Sequence, residues 1–305
     1  MKKDVADFHN FYTEDLHDTL VELEKLRIRA RNIFRLIASI ILALTVSLLF
    51  TLFATNYEPE VRPALTLVIL IAAGFLILFS ISETGSGKVF RQQFKHQIIG
   101  PFVEFIDKDL RFDFESYIPQ SVFLDSCLFS SNIKHYRGDS HICGKMSGRT
   151  FECSKLLVKS DSVSNKHSLV FSGLFFAIEL DNPTHATTLI YPRIKSRPSS
   201  KVYKRAKLED PSFEESFNVY ADDQVEARVQ LTMSVMESIF HFGEHFVEKP
   251  YLSFKNKTLY IAVPSISYLE PSYLRSLLDT QSQYQLIKDF ELVVSTLSII
   301  EALKA

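Results

Sequence analysis

Two long apolar runs dominate the pattern of the chain. LIASIILALTVSLLFTLFA fills 36–54 and ALTLVILIAAGFLILFSI fills 64–81, and neither contains a charged side chain. Each is close to the ~20 residues that an α-helix needs to cross a ~30 Å hydrocarbon core. Neither keeps the polar face that a core helix of a water-soluble protein turns to solvent. The runs therefore predict membrane spans, joined by the short linker TNYEPEVRP into a transmembrane hairpin over 33–82. A signal peptide fits less well, because the first run begins late, lacks a small-residue cleavage site and is followed by a second run.

Upstream, residues 5–32 read as an amphipathic helix. Phe8, Tyr12, Leu16, Leu20 and Leu23 recur at three- and four-residue steps and form one apolar stripe. Such a stripe needs a partner, either the cytoplasmic domain or a second copy of the chain. Downstream, SETGSGK (82–88) resembles a phosphate loop only superficially. Ser82 stands where the first glycine belongs and Val89 where Ser or Thr belongs, so a flexible membrane exit is the expectation. KHQIIGPFVEFIDKDL (95–110) is amphipathic, with Gly100-Pro101 forcing a bend or a restart.

Strand signals follow. HICGKM, TFECSKLLV, HSLVFSGLFFAIEL and ATTLIYPR are rich in β-branched and aromatic residues. QVEARVQL (224–231) alternates apolar and polar and predicts a half-buried strand. YLSFKNKTLYIAV (251–263) predicts a hairpin turning at Lys255, Asn256 and Lys257. Residues 271–303 read as helix. The fold class is α+β: a cytoplasmic amphipathic helix (1–32), the two-helix transmembrane hairpin, then a cytoplasmic domain (96–305) with a mainly antiparallel sheet and C-terminal helices.

Charge sets the orientation. Lys25, Arg27, Arg29, Arg31 and Arg35 precede the first run, and Lys88, Arg91 and Lys95 follow the second. The linker has only Arg62, beside Glu58 and Glu60. The positive-inside rule puts both termini in the cytoplasm. The net charge of −2 gives no argument for a nucleic-acid partner. Cys127, Cys143 and Cys153 are odd in number and lack a Cys-x-x-Cys pair, which fits free thiols in a reducing compartment. Their spacings, with His135, His141 and His167 nearby in sequence, are not those of ordinary zinc modules.

Two stretches carry candidate chemistry. HFGEH (241–245) has the inverted zinc-protease spacing. A capping box from Ser234 to Glu237 starts its helix and puts Met236, Ile239, Phe240, Gly243 and Val247 on one apolar face. His241 and His245 then face solvent, whereas a catalytic zinc needs them turned toward a third protein ligand. The pattern predicts surface histidines, and no metal or cofactor. KLEDPSFEESFNVYADDQVEAR (207–228) gathers many carboxylates, and Glu209, Asp210, Asp222, Asp223, Glu226 and Arg228 form the candidate ligand or partner surface. Local roles account for most of them. Asp210 before Pro211 is an N-cap, Asp222-Asp223 is turn chemistry, and Glu226 and Arg228 share a strand face. The basic run 193–207 reads as a solvated loop able to touch anionic headgroups.

FYTEDLHDTLVELEKLR, the paired apolar runs, FKHQIIGPFVEFID, SGLFFAIEL, KLEDPSFEESFNVYADDQVEARVQLT and LSFKNKTLYIAV together resemble the bacterial two-span membrane proteins grouped as domain of unknown function 3137. The resemblance spans nearly the whole chain, and its most specific piece is 208–228. It implies a bacterial inner-membrane protein with a cytoplasmic domain, and no activity. The expectation is a non-enzymatic, membrane-anchored adaptor or complex subunit that contacts membrane lipids and binds a protein or lipid partner. Gly74, beside Ala72 and Ala73, allows close helix contact in a homo-oligomer or a larger complex. The competing expectation is a membrane-associated hydrolase that uses the acidic cluster with a cation.

Overall fold

The computed structural model describes residues 7, 10–54, 62–83, 85–129, 132–160, 168–194, 198, 201–244, 246, 248–264 and 269–302. Phe8, most of the linker between the apolar runs, His167, His245 and Val247 lie outside the described residues. The chain divides into two compact units, Ala6–Ile98 with Glu270–Gln285, and Ile99–Leu269 with Leu286–Ala305.

The first unit is helical. A π-helical turn, Phe11–Asp15, leads into α1 (His17–Ala54), followed by α2 (Arg62–Glu83) and α3 (Gly85–Phe94). His17–Leu52 is long and apolar enough to cross a membrane, while Pro63–Gly74 is a shorter apolar stretch. Leu36, Leu44 and Phe50 of α1 are exposed, an arrangement that water disfavours. The expected flexible exit is instead helical from Gly85, and the helix buries Phe90 and Phe94.

The N-terminal stripe is buried at Tyr12, Leu16, Leu20 and Leu23. Polar contacts tie it to residues 270–285 of the same chain. The Tyr12 hydroxyl donates to the Leu277 carbonyl at 3.1 Å. Glu24 Oε2 accepts from the Leu277 N–H at 3.0 Å, and Arg27 Nη1 donates to the Tyr273 carbonyl at 2.9 Å. Arg27 also pairs with Glu24 at 2.6 Å. The stripe thus finds a partner in a segment remote in sequence. Lys95 and Arg91 pair with Glu270 of that segment at 3.2 and 3.4 Å.

The second unit opens with α4 (Gly100–Ile106), where Pro101 restarts the helix after a π-helical turn, Lys95–Ile99. Its strands are β1 (Leu110–Asp113), β2 (His135–Met146), β3 (Arg149–Ser160), β4 (Ser168–Glu179), β5 (Thr188–Pro192), β6 (Lys204–Ala206), β7 (Phe217–Ala221), β8 (Tyr251–Lys255) and β9 (Thr258–Pro264). They form one sheet in the order β1-β2-β3-β4-β9-β8-β5-β7-β6. The strand pairs are antiparallel, as the sequence predicts. Ser147 and Gly148, with φ of 52° and 81°, make the two-residue turn between β2 and β3. The β8–β9 hairpin turns at Asn256 and Lys257.

One face of the sheet packs Leu156, Val158, Phe171, Phe175, Leu189, Tyr191, Tyr220, Tyr260 and Ala262 against Ile118, Phe123 and Leu128. Phe123 belongs to α5 (Gln120–Asp125). The remaining helices among the described residues are α6 (Pro211–Ser216), α7 (Gln224–Gln230), α8 (Met233–Glu244) and α9 (Thr280–Ala302). Phe102 of α4 stacks on Phe290 of α9 at 4.5 Å.

Helix α7 corrects the reading of 224–231 as a strand. The Asp223 carboxylate accepts from the Val225 and Glu226 amides at 2.8 and 3.2 Å and so caps a helix. The alternation arises because two apolar pairs at i,i+4 spacing take different faces. Ala227 and Leu231 are buried, while Val225 and Val229 are exposed. The start of α8 differs too, since Thr232 caps it rather than Ser234. The Thr232 carbonyl accepts from Met236 at 2.9 Å and its hydroxyl from Val235 at 3.4 Å. The C-terminal helix begins at Thr280, not at 271.

Candidate functional site

The predicted surface residues have separate structural roles. Asp210 is extended, and its Oδ1 accepts from Ser212 and Phe213 at 2.8 and 3.2 Å, capping α6. Pro211 follows in the first helical turn, where a missing N–H removes no hydrogen bond. Asp222 Oδ1 accepts from the Thr187 and Asp223 amides at 2.8 and 2.9 Å, tying the end of β7 to the start of β5. Asp223 caps α7. Glu226 and Arg228 do not share a strand face, because they lie on that helix; Arg228 Nε donates to the Lys207 carbonyl at 3.2 Å. Glu209 is exposed. Asp222, Asp223 and Glu226 thus fall within one turn, and both aspartates are engaged with backbone.

The apolar surface beside these caps was not legible in the sequence. Val225 and Val229, one turn apart on α7, are 68% and 66% exposed, and Met233 at the start of α8 is 62% exposed. Val225 and Val229 occupy what reads as the inner face of a strand, so no local signal marked them as surface.

The histidine motif is solvated where it is described. His241 is exposed, with Nδ1 3.3 Å from Glu244 Oε2 and Nε2 3.8 Å from Glu237 Oε1. Gly243 is a packing position: a Cβ there meets the Phe217 ring at 3.1 Å. Among the described residues there is no group of three or more His, Cys, Asp or Glu that could hold a metal.

Two further clusters join residues far apart in sequence. Ser116 Oγ lies 3.2 Å from His141 Nδ1, and His141 Nε2 lies 3.8 Å from Glu152 Oε2. Backbone hydrogen bonds from Glu115 and Ser116 hold the Asp113 carboxyl below its usual range, so this group fastens the turn after β1 to β2. Beside the packed sheet face, Asp125 accepts from Lys255 Nζ at 2.6 Å and from the Tyr260 hydroxyl at 2.7 Å. Burial alone raises the Asp125 pKa, but these hydrogen bonds prevail and lower it.

Residues 169–305 match the family described as Protein of unknown function (DUF3137). The match runs from β4 through α9 and includes SGLFFAIEL, LSFKNKTLYIAV and all of 208–228, the most specific piece of the resemblance; the N-terminal stretch, the paired apolar runs and FKHQIIGPFVEFID lie outside it. No curated protein matches the chain. Among solved structures, the crystal structure of the mycobacterial trehalose monomycolate transport factor A, TtfA, aligns at 10% identity. It covers 67% of this chain and 95% of that chain, with a TM-score of 0.38.

Proposed function

We propose that this chain is a non-enzymatic, membrane-anchored module of the bacterial inner membrane, an adaptor or complex subunit that binds a protein partner. In this reading the runs at about 36–54 and 64–81 are two spans, both termini are cytoplasmic, and 96–305 is the cytoplasmic domain. The carrying observation is the pair Val225 and Val229, one turn apart on α7 and exposed beside capped carboxylates. Neighbouring exposed apolar side chains mark interaction sites. Glu226 and Arg228 lie among them with opposite charges, which suits a mixed protein surface better than an anionic headgroup layer. The hydrolase reading asks the acids to act on a ligand. Hydrogen bonds from backbone amides to Asp210, Asp222 and Asp223 support the binding reading instead.

The test is photo-cross-linking from Val225 and Val229 of the full chain in native membranes. The expected result is one reproducible protein adduct from position 225, lost in Val229→Asp. Adducts to lipid alone, adducts to the chain itself alone, or no adduct overturn the proposal.

A further inference from the structure

The sulfur of Cys127 meets a charged side-chain hydrogen-bond donor. Lys255 Nζ lies 3.5 Å from Sγ. The thiol itself donates to the Asp125 carbonyl at 3.4 Å. Lys255 is fixed in turn by Asp125, through Oδ1 at 2.6 Å and the backbone carbonyl at 3.0 Å. Tyr260 holds the other carboxylate oxygen at 2.7 Å. Cys127 is half-buried, with φ at 57°, a left-handed conformation that non-glycine residues adopt rarely outside special sites.

A second observation points to a guest. Ser253 is fully buried, and its Oγ has no hydrogen-bond partner. It lies on the same sheet face as Lys255, two residues along β8, and directly opposite Tyr260. An unpaired buried hydroxyl is destabilising, and a small polar molecule relieves it.

We propose that this face holds a peroxide-reactive thiol site, in which a hydroperoxide oxidises Cys127 to the sulfenic acid. The sulfur attacks one peroxide oxygen, so an S–O bond forms and the O–O bond breaks. Sulfur gives up two electrons and the peroxide takes them. The leaving oxygen receives the thiol proton and departs as water, or as an alcohol from an organic hydroperoxide. The Lys255 ammonium stabilises negative charge as it builds on the leaving oxygen, and Asp125 and Tyr260 position Lys255. Burial opposes the Lys255 charge, yet the hydrogen bond to Asp125 and the neighbouring Cys127 and Asp125 hold its pKa above the usual value. The other thiols are poorly placed. Burial and Glu152 raise the Cys143 pKa, and complete burial raises that of Cys153 far more.

The test treats the full chain, in detergent micelles, with dilute hydrogen peroxide and dimedone, and maps adducts by mass spectrometry. Cys127 should be trapped about ten-fold faster than Cys143 or Cys153. Lys255→Gln should slow it about ten-fold, and Lys255→Arg should restore most of the rate. Trapping of Cys127 no faster than Cys143, or an unchanged rate in Lys255→Gln, overturns the proposal. The comparison among the three native thiols needs no variant, so it decides the matter even where a substitution disturbs folding.

Discussion

The Asp223 Oδ1 lies 2.8 Å from the Val225 amide nitrogen, and this contact makes a helix of a segment patterned like a strand. Removing the acceptor leaves the first-turn amides without it. Asp223→Ala should lower stability by about 1 kcal/mol, as N-cap losses generally do. Thermal unfolding of the full chain checks this, with the exposed Glu215→Ala as the control expected to leave Tm unchanged.

Gly144 answers to a closer constraint. Its φ is 145°, and a Cβ there would collide with the Asp109 carbonyl oxygen. Gly144→Ala must move backbone on the β1 side of β2 and should cost about 3 kcal/mol. Denaturant titration measures it; a loss under about 1 kcal/mol contradicts the close approach.

Arg27 and Glu24 form an ion pair in which both side chains are largely buried. Arg27→Met strands the Glu24 carboxylate and removes the bond to the Tyr273 carbonyl. The expected loss is about 3 kcal/mol. Replacing both partners, in Glu24→Gln with Arg27→Met, should recover part of it. Urea unfolding of the single and double variants compares them.

Asp125 carries a pH signature. Its folded pKa is depressed below the unfolded value of about 3.9, so its contribution to stability is complete above that value. As pH falls through the lower folded value, the carboxylate protonates and the contribution disappears. Asp125→Asn should be less stable than the native chain near neutrality, and the difference should shrink toward about pH 2. Melting curves over that range show whether the two converge.

Much of the sheet was legible because Val, Ile, Phe and Tyr in β3, β4, β8 and β9 report burial through local composition. Asp210 before Pro211 was legible because a cap and its helix are neighbours in sequence. The segment 224–231 was not, because period-two apolarity fits both a strand and a short helix with i,i+4 pairs on two faces. The group at Asp125 was invisible in sequence. Asp125 and Lys255 stand 130 residues apart, and only the sheet brings them together.

The hydrogen bond from Tyr12 to Leu277 joins residues 265 positions apart. At ~5–20 residues per second, a ribosome takes roughly 15–50 seconds to make the intervening chain. For that interval the apolar side of the N-terminal helix lacks its final cover. The helical unit is therefore among the last parts of the molecule to close during biosynthesis, and the nascent chain offers chaperones a long window at its N-terminal end.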